Sequence, residues 1–295
     1  MLNNNTNQNA IEYSEERITF VTELVDKLII EAKEKLESER ELHIISLSDD
    51  GASESYMNNK LKMADKYNVP ATIHRPQAKY ELISLLADLS SIKNNRIIIQ
   101  CPFDENKWGK LEELMKMIPK RMDVDGFDFS MIDLVNTKSF EDMINNPNFS
   151  PTAKGVLLLL GACFDFNIKG KEINVIGKGL TSGLPIATMC EQLGATVFWC
   201  NSKTDDYTFK SISSGSDVII SCTGVPNLIG REHSINKYIE AYYINVGMNR
   251  DEDGKLKGDI NYDEIIDLPN TRFCNKLFGT TGKLTTMCLI LNTVL

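Results

Sequence analysis

The chain predicts an α/β protein of two domains, each a sheet covered by helices. Three observations carry this. Short apolar runs alternate with helical patterns between residues 42 and 118, the alternation of a parallel sheet. Lys171–Ser202 reads as strand, glycine-rich turn, helix and strand, close to the roughly 30 residues of a mononucleotide-binding half. A turn-rich hinge at 138–152 lies between the two, with Asn145-Asn146-Pro147-Asn148 and Ser150-Pro151-Thr152. The 295 residues suffice for one large or two modest domains.

In order, MLNNNTNQNA is polar and Asn-rich and reads as a disordered tail, neither signal peptide nor anchor. Residues 11–38 have the spacing of a long amphipathic helix, with Ile18, Val21, Leu24, Val25, Leu28 and Ile29 on one side. Leu42–Leu47 is a strand and Ser48-Asp49-Asp50-Gly51 a turn. A helix over 53–67 ends at Val69-Pro70. Strand 70–74, helix 80–92 and strand 96–100 follow, the last stopping at Cys101-Pro102. Residues 108–118 are predicted as a helix and 122–127 as a loop. Beyond the hinge comes a helix over 152–165. Strand 173–176, helix 185–193 and strand 195–200 make the central unit. Strand 216–222 ends at Thr223-Gly224, and strand 241–246 at Gly247. A Gly/Thr loop at 278–283 precedes a closing apolar helix, 284–295.

The turn Gly177-Lys178-Gly179-Leu180-Thr181-Ser182-Gly183 is the most informative stretch. Glycines let backbone approach a pyrophosphate, and a helix N-terminus points free N–H groups at negative charge. The spacing is G-x-G-x-x-x-G, one residue longer than the usual dinucleotide fingerprint. A tight structural turn that binds nothing fits the same residues. After the second strand no carboxylate occurs before Asp205, where an NAD site places Asp or Glu on the ribose. Lys178 and Lys203 could instead meet a 2′-phosphate, which favours NADP over NAD; either could equally be a solvated surface residue.

The net charge of −9 argues against nonspecific nucleic-acid binding. No apolar run is long enough to cross a membrane. The seven cysteines are scattered singly, without a C-x-x-C pair or Cys/His cluster. This predicts reduced thiols, no metal site and a cytoplasmic protein.

In the first half, Ser53, Tyr56 and Lys60 fall at i, i+3 and i+7 of one helix and share a face. A tyrosine hydroxyl near a lysine amine can fix it and favour its neutral form, which moves protons at physiological pH. Gln100 ends a strand after three isoleucines, and Asp125 lies in a glycine-containing loop. A sheet edge would bring these together. Taken singly, the Tyr/Lys pair also reads as surface decoration, Ser53 as a helix cap, Asp125 as a turn residue and Gln100 as a strand end.

Together these stretches resemble the methylenetetrahydrofolate dehydrogenase/methenyltetrahydrofolate cyclohydrolase family, over nearly the whole chain from residue 11. Ala52-Ser53, Tyr56 and Lys60 match its A-S-x-x-Y-x-x-x-K. Ile99-Gln100-Cys101-Pro102 resembles V-Q-L-P, and Asp123-Val124-Asp125-Gly126-Phe127 matches D-V-D-G-F. Thr152 and Gly155 fit P-C-T-P-x-G. Gly177–Pro185 resembles G-R-S-x-x-V-G-x-P, and 195–204 resembles A-T-V-T-x-C-H-S-x-T. Asn245–Asn249 resembles D-V-G-I-N, and Gly258-Asp259-Ile260 its G-D-V.

The resemblance implies an N-terminal three-layer α/β catalytic domain, residues 1–147, with helix 284–295 packing back on it. It implies a Rossmann-type doubly wound dinucleotide-binding domain, 148–283, a cleft between the two, and a homodimer. Lys60 becomes the key cyclohydrolase residue, supported by Tyr56 and Gln100. Ser53, Asp125, Gly279, Gly282 and Thr285 become tetrahydrofolate contacts, Asp125 holding the pterin. Gly177, Lys178, Gly179, Ser182, Gly183, Ser202, Thr223, Gly224 and Gly247 become the nucleotide site. Methylene-tetrahydrofolate is then oxidised to the methenyl form with NADP, NAD being possible, and hydrolysed to formyl-tetrahydrofolate without a metal.

Departures fall in three places, one being Pro102-Phe103-Asp104 where the family has Pro-Leu-Pro. The family's P-G-G-V-G-P-M-T loop is here Phe278-Gly279-Thr280-Thr281-Gly282-Lys283-Leu284-Thr285, and its nucleotide-site arginine and serine are Lys178 and Gly179. The added Lys283 is expected to meet the folate's glutamate tail. These changes leave two alternatives: a protein with one of the two activities, or a non-catalytic folate- or nucleotide-binding relative.

Overall fold

The computed structural model describes residues 3–48, 51–127, 137–234 and 240–295, the side chains of 3–7 and 51–53 excepted. The chain divides into two compact units. One comprises Leu24–Met131, Met143–Pro151 and Thr286–Leu295; the other Met1–Glu23, Ile132–Asp142 and Thr152–Thr285. The first 23 residues therefore group with the later part of the chain, where the sequence placed them with 24–147.

The cause is helix α1, Asn3–Glu34, which replaces the expected tail and the expected helix 11–38. Ala10 is 2% exposed, in a core cluster with Ile176, Ile219 and Tyr243. Ser14 donates to the Ala10 carbonyl at 2.7 Å and accepts the Cys274 amide at 3.1 Å. A polar-looking start is thus held by apolar burial and two buried hydrogen bonds.

The first unit holds β1 (Glu41–Ser46), α2 (Gly51–Lys66), β2 (Ala71–His74), α3 (Lys79–Ser91) and β3 (Asn95–Gln100). The strands form a parallel sheet in the order β2-β1-β3. All of β3 is buried, as the continuous Ile97-Ile98-Ile99 run requires for a parallel strand covered on both faces. Burying each isoleucine is worth roughly 1.5–3 kcal/mol. On one face Ile45, Ile97 and Ile99 pack with Leu82, Leu86 and Leu89 of α3 and with Trp108 and Leu114.

The helix predicted over 108–118 is two short ones, α4 (Glu105–Trp108) and α5 (Leu111–Met115). Gly109, at φ 99°, lies in the left-handed region and breaks them. The hinge is also more built than expected. It contains the whole of α6 (Phe140–Asn145), and Phe149 and Ser150 are buried. Pro151 opens α7 (Pro151–Cys163).

The second unit carries β4 (Glu172–Ile176), α8 (Gly183–Gln192), β5 (Thr196–Cys200), α9 (Asp206–Gly215), β6 (Val218–Ser221) and β7 (Ala241–Asn245). A hairpin, β8 (Met248–Arg250) and β9 (Leu256–Gly258), leads to α10 (Tyr262–Ile266) and β10 (Thr271–Cys274). The five main strands are parallel, in the order β5-β4-β6-β7-β10. This is the 2-1-3-4-5 order of doubly wound folds, whose strand order reverses between β4 and β6. Ligands in such sheets sit outside the carboxyl ends of the strands at that reversal. The closing helix, α11 (Thr281–Val294), starts three residues earlier than expected, its first turn closed by Leu284 N–H on the Thr280 carbonyl at 2.8 Å.

Candidate active site and nucleotide site

At the carboxyl end of β3, Lys60 Nζ donates to Gln100 Oε1 at 2.8 Å. The other end of the amide is fixed as well, because Gln100 Nε2 donates to the Cys101 carbonyl at 2.7 Å. That second bond settles which atom faces the lysine: an oxygen, which can accept from an ammonium or an amine. Lys60 projects from α2 and Gln100 from β3, so the helix and the strand end together fix the pair.

Burial lowers the Lys60 pKa from its ordinary 10.5, while the Asp125 carboxylate and the Cys101 thiol act to raise it. Burial raises the Asp125 pKa above the usual carboxylate value, and Lys60 acts to lower it. The Cys101 thiol is pushed up to about 12 by burial and by Asp125, and so stays protonated. An amine biased towards its neutral form beside a carboxyl biased towards its acid form is a pair that exchanges protons readily. Tyr56, one turn before Lys60, is 43% exposed, and partial burial raises its phenol. Ser53 lies on α2, but its side chain is outside the described residues.

Asp125 is held by its own loop. Asp123, 1% exposed, accepts the Asp125 and Gly126 amides at 3.1 and 2.9 Å. Gly126 has φ 72°, and a Cβ there would lie 2.5 Å from Ser150 N and 2.7 Å from Asn148 O. Only glycine fits this approach of two chain segments.

In the second unit, the glycine turn runs from the end of β4 to the start of α8. Gly177 has φ 104°, and a Cβ there would meet the Cys222 carbonyl at 2.8 Å. A Cβ on Gly183 would meet the Gly177 carbonyl at 2.1 Å. Gly179 differs: the nearest atom to its Cβ position is Thr181 Oγ1 at 4.0 Å. Trp199 Nε1 donates to the Gly177 carbonyl at 2.8 Å, and Lys178 Nζ sits 4.7 Å from the centre of the same indole. Asp205, the first carboxylate after β5, caps α9 by accepting the Thr208 amide at 3.0 Å.

After β6, buried Asp259 organises the corner. Its Oδ2 accepts Ser221 Oγ at 2.8 Å, Thr223 N at 2.6 Å and Thr223 Oγ1 at 2.9 Å. A Cβ on Gly247 would stand 2.3 Å from that same oxygen and 2.6 Å from Gly224 N. Gly177, Gly183, Thr223 and Gly224 therefore meet at the β4/β6 reversal, with Gly247 behind them.

Residues 150–295 match the model for the tetrahydrofolate dehydrogenase/cyclohydrolase NAD(P)-binding domain. A bifunctional protein FolD of Staphylococcus epidermidis is 32% identical over 260 residues, 86% of this chain and 85% of that protein. The chain belongs to the tetrahydrofolate dehydrogenase/cyclohydrolase family. A FolD methylenetetrahydrofolate dehydrogenase/cyclohydrolase structure from Campylobacter jejuni superposes with a TM-score of 0.80 at 25% identity, covering 94% of this chain and 95% of that one. The Trypanosoma brucei structure, described as complexed with NADP cofactor and inhibitor, has a TM-score of 0.77 at 22% identity, covering 95% and 94%.

Measured against the family motifs, the A-S-x-x-Y-x-x-x-K, V-Q-L-P and D-V-D-G-F stretches supply Lys60, Gln100 and Asp125 to one spot of the first unit. Gly279, Gly282 and Thr285 fall in the second unit. Gly279 has φ 80° and open space around it, and Gly282 and Thr285 lie on the first turns of α11. Thr281 Oγ1 ties that helix start to the Asn245 carbonyl at the end of β7, at 2.9 Å. Ser182 immediately precedes α8, and Ser202 is exposed in the turn after β5. Sequence reading missed Asp259, Asp123, Asn148 and Trp199 as structural parts of the two sites. For Asp259 and Asp123 a signal existed, since each sits in a stretch that resembles a family motif.

Proposed function

We propose that the protein oxidises methylene-tetrahydrofolate to methenyl-tetrahydrofolate with a nicotinamide cofactor and then hydrolyses the product to formyl-tetrahydrofolate, serving one-carbon metabolism. The single observation that carries the hydrolytic step is the Lys60–Gln100 bond of 2.8 Å beside Asp125. The methenyl carbon is cationic and needs little electrophilic help; it needs a placed water and a group to move protons. Neutral Lys60 takes a proton from the attacking water at Nζ, and Gln100 Oε1 holds the ammonium so formed. Lys60 then returns that proton to the ring nitrogen as its bond to the former methenyl carbon breaks. A second proton leaves as the formyl group forms. Asp125 holds the pterin, with Ser53 and Tyr56 as further contacts on the folate side.

The residues of the β4/β6 corner fit a dinucleotide. Gly177 and Gly183 leave no room for a side chain, and the α8 N-terminus faces the turn they close. Gly177, Gly179, Ser182 and Gly183 would hold the pyrophosphate, and Thr223, Gly224 and Gly247 the part beyond it. When bound, the cofactor accepts a hydride from the folate methylene carbon. NADP over NAD is supported by Asp205 being used as a helix cap rather than left for a ribose, and by Lys178 and Lys203 being exposed near the end of β5. Ser202 belongs to the same turn. Gly279, Gly282 and Thr285 are assigned to folate, and Lys283, exposed on the first turn of α11, to its glutamate tail. Residues 24–131 then form the folate-binding catalytic part and 152–285 the dinucleotide-binding part of a cytoplasmic homodimer.

The deciding experiment follows reduced-nicotinamide absorbance when purified protein meets methylene-tetrahydrofolate, with NADP and NAD in separate cuvettes. A faster rise with NADP is expected. No rise with either would overturn the dehydrogenase, and unchanged decay of methenyl-tetrahydrofolate over the uncatalysed rate would overturn the cyclohydrolase.

A further inference from the structure

Two polar residues of the apolar closing helix have no exposure, Asn292 and Thr293; Thr293 bonds within the helix, to the Leu289 carbonyl, whereas Asn292 makes two long-range bonds. Asn292 is 0% exposed among Cys288, Leu289, Ile290 and Leu291, each at most 1% exposed. A buried amide costs stability unless its donors are used. Asn292 Nδ2 uses both: it donates to the Val124 carbonyl at 2.9 Å and to the Phe149 carbonyl at 2.8 Å. Those carbonyls lie on the two segments that meet at Gly126, where a Cβ would strike Ser150 N and Asn148 O. Asn148 Nδ2 makes a second brace, donating to the carbonyls of Lys120 and Asp123. Val124 immediately precedes Asp125. The loop that carries Asp125 is thus fixed to its neighbour by hydrogen bonds from side-chain amides, with Asn292 reaching it from 168 residues away.

From this geometry we propose that Asn292 is a positioning residue for the folate chemistry, holding the Asp125 carboxyl at its working place opposite Lys60 by pinning the Val124 and Phe149 carbonyls together. The proposal rests on the functional reading above. Without the brace the loop relaxes, and Asp125 moves relative to Lys60. A displacement of about 1 Å at a reacting centre costs roughly 100-fold in rate.

The discriminating readout is the pH profile of cyclohydrolase turnover. Among the described residues, the charged or titratable groups acting on Lys60 are Asp125, from the braced loop, and Cys101, from the strand end; Glu105 acts on Cys101, and Tyr56 lies one turn away on α2. Asp125 raises the Lys60 pKa, so withdrawing it lets that pKa fall further. The ascending limb of the profile then moves to lower pH.

Asn292→Ala and Asn148→Ala should each lower cyclohydrolase kcat/KM by about 10- to 100-fold. Both should shift the ascending limb to lower pH and leave NADP affinity unchanged. Leu291→Ala, a buried apolar change on the same helix, should cost stability and keep the parent's limb. Amide hydrogen exchange at 124–126 should quicken in both Asn variants. A folded Asn292→Ala with the parent's limb and parental exchange at 124–126 overturns the proposal. So does an equal shift in Leu291→Ala, which would make the effect one of general loosening. If Asn292→Ala does not fold, Asn148→Ala decides by the same two criteria. A parent protein without turnover refutes the functional reading instead, and the positioning role is then decided by exchange and by folate affinity.

Discussion

Lys60→Met separates chemistry from stability. Methionine keeps most of the apolar stem and removes the amine. The loss leaves Gln100 Oε1, in a residue only 7% exposed, without its 2.8 Å donor. An unsatisfied buried acceptor costs about 1–3 kcal/mol. Against this stands the desolvation of the amine, the leading cause of its lowered pKa, which the variant removes. The two oppose each other, so net stability should change by no more than about 1–2 kcal/mol. Turnover has no such offset: a positioned acid–base group contributes roughly 100- to 10,000-fold. Cyclohydrolase activity, followed as loss of methenyl-tetrahydrofolate absorbance, should fall by that factor while NADP binding stays intact. The pH dependence has a definite sign. A lysine whose folded pKa is depressed binds fewer protons than its unfolded counterpart, so its contribution to stability increases as pH rises through the folded pKa towards 10.5. Urea unfolding of the parent should show that rise and Lys60→Met should lack it. Turnover within twofold of the parent would refute the proton-transfer role, however the variant unfolds.

The other expectations concern the nucleotide unit. Gly183→Ala places a methyl 2.1 Å from the Gly177 carbonyl and must displace the turn, so NADP affinity by calorimetry should drop at least about 100-fold. Asp259→Asn replaces a carboxylate that accepts three hydrogen bonds; unfolding should cost about 1–3 kcal/mol, and NADP affinity should fall with it. A double Lys178→Ala, Lys203→Ala variant should lower the NADP-to-NAD ratio of kcat/KM by about 100-fold or more, since each charge-assisted contact is worth roughly 1.5–3 kcal/mol. An unchanged ratio would remove the lysines from 2′-phosphate recognition.

The parts legible in the sequence were those with a local signature. The apolar run Ile97-Ile98-Ile99 read as a strand and the glycine turn from Gly177 to Gly183 as the link between strand and helix, although which of its glycines are cramped did not show. Lys60, Gln100 and Asp125 were nameable because the family motifs mark them; their periodicity alone also fitted a surface. Features that depend on distant partners were not legible. The N-terminal stretch looked like a tail because nothing local shows that Ala10 packs with Ile176 and Tyr243. Residues 138–152 looked like a hinge because turn residues cluster there, yet Phe149 is buried and Asn148 spans back to 120 and 123. Gly109 split a helix that the apolar spacing of 108–118 had joined.

One physical reason underlies these misses and both sites. Functional loops leave the carboxyl ends of parallel strands, where the ladder ends and backbone groups lose their partners. Buried backbone polar groups must still be paired. Here the pairing comes from side chains remote in sequence. Asp259 receives the Thr223 amide, Asn275 bonds both ways with Asn245, and Asn292 holds Val124 and Phe149. Each is a short polar side chain with little exposure, 2% or less, and each fixes a loop that the motifs mark as functional. Asn and Asp in such places resemble ordinary turn or helix residues in the sequence. The bonds reach across 36, 30 and 168 positions, so local pattern carries no trace of them.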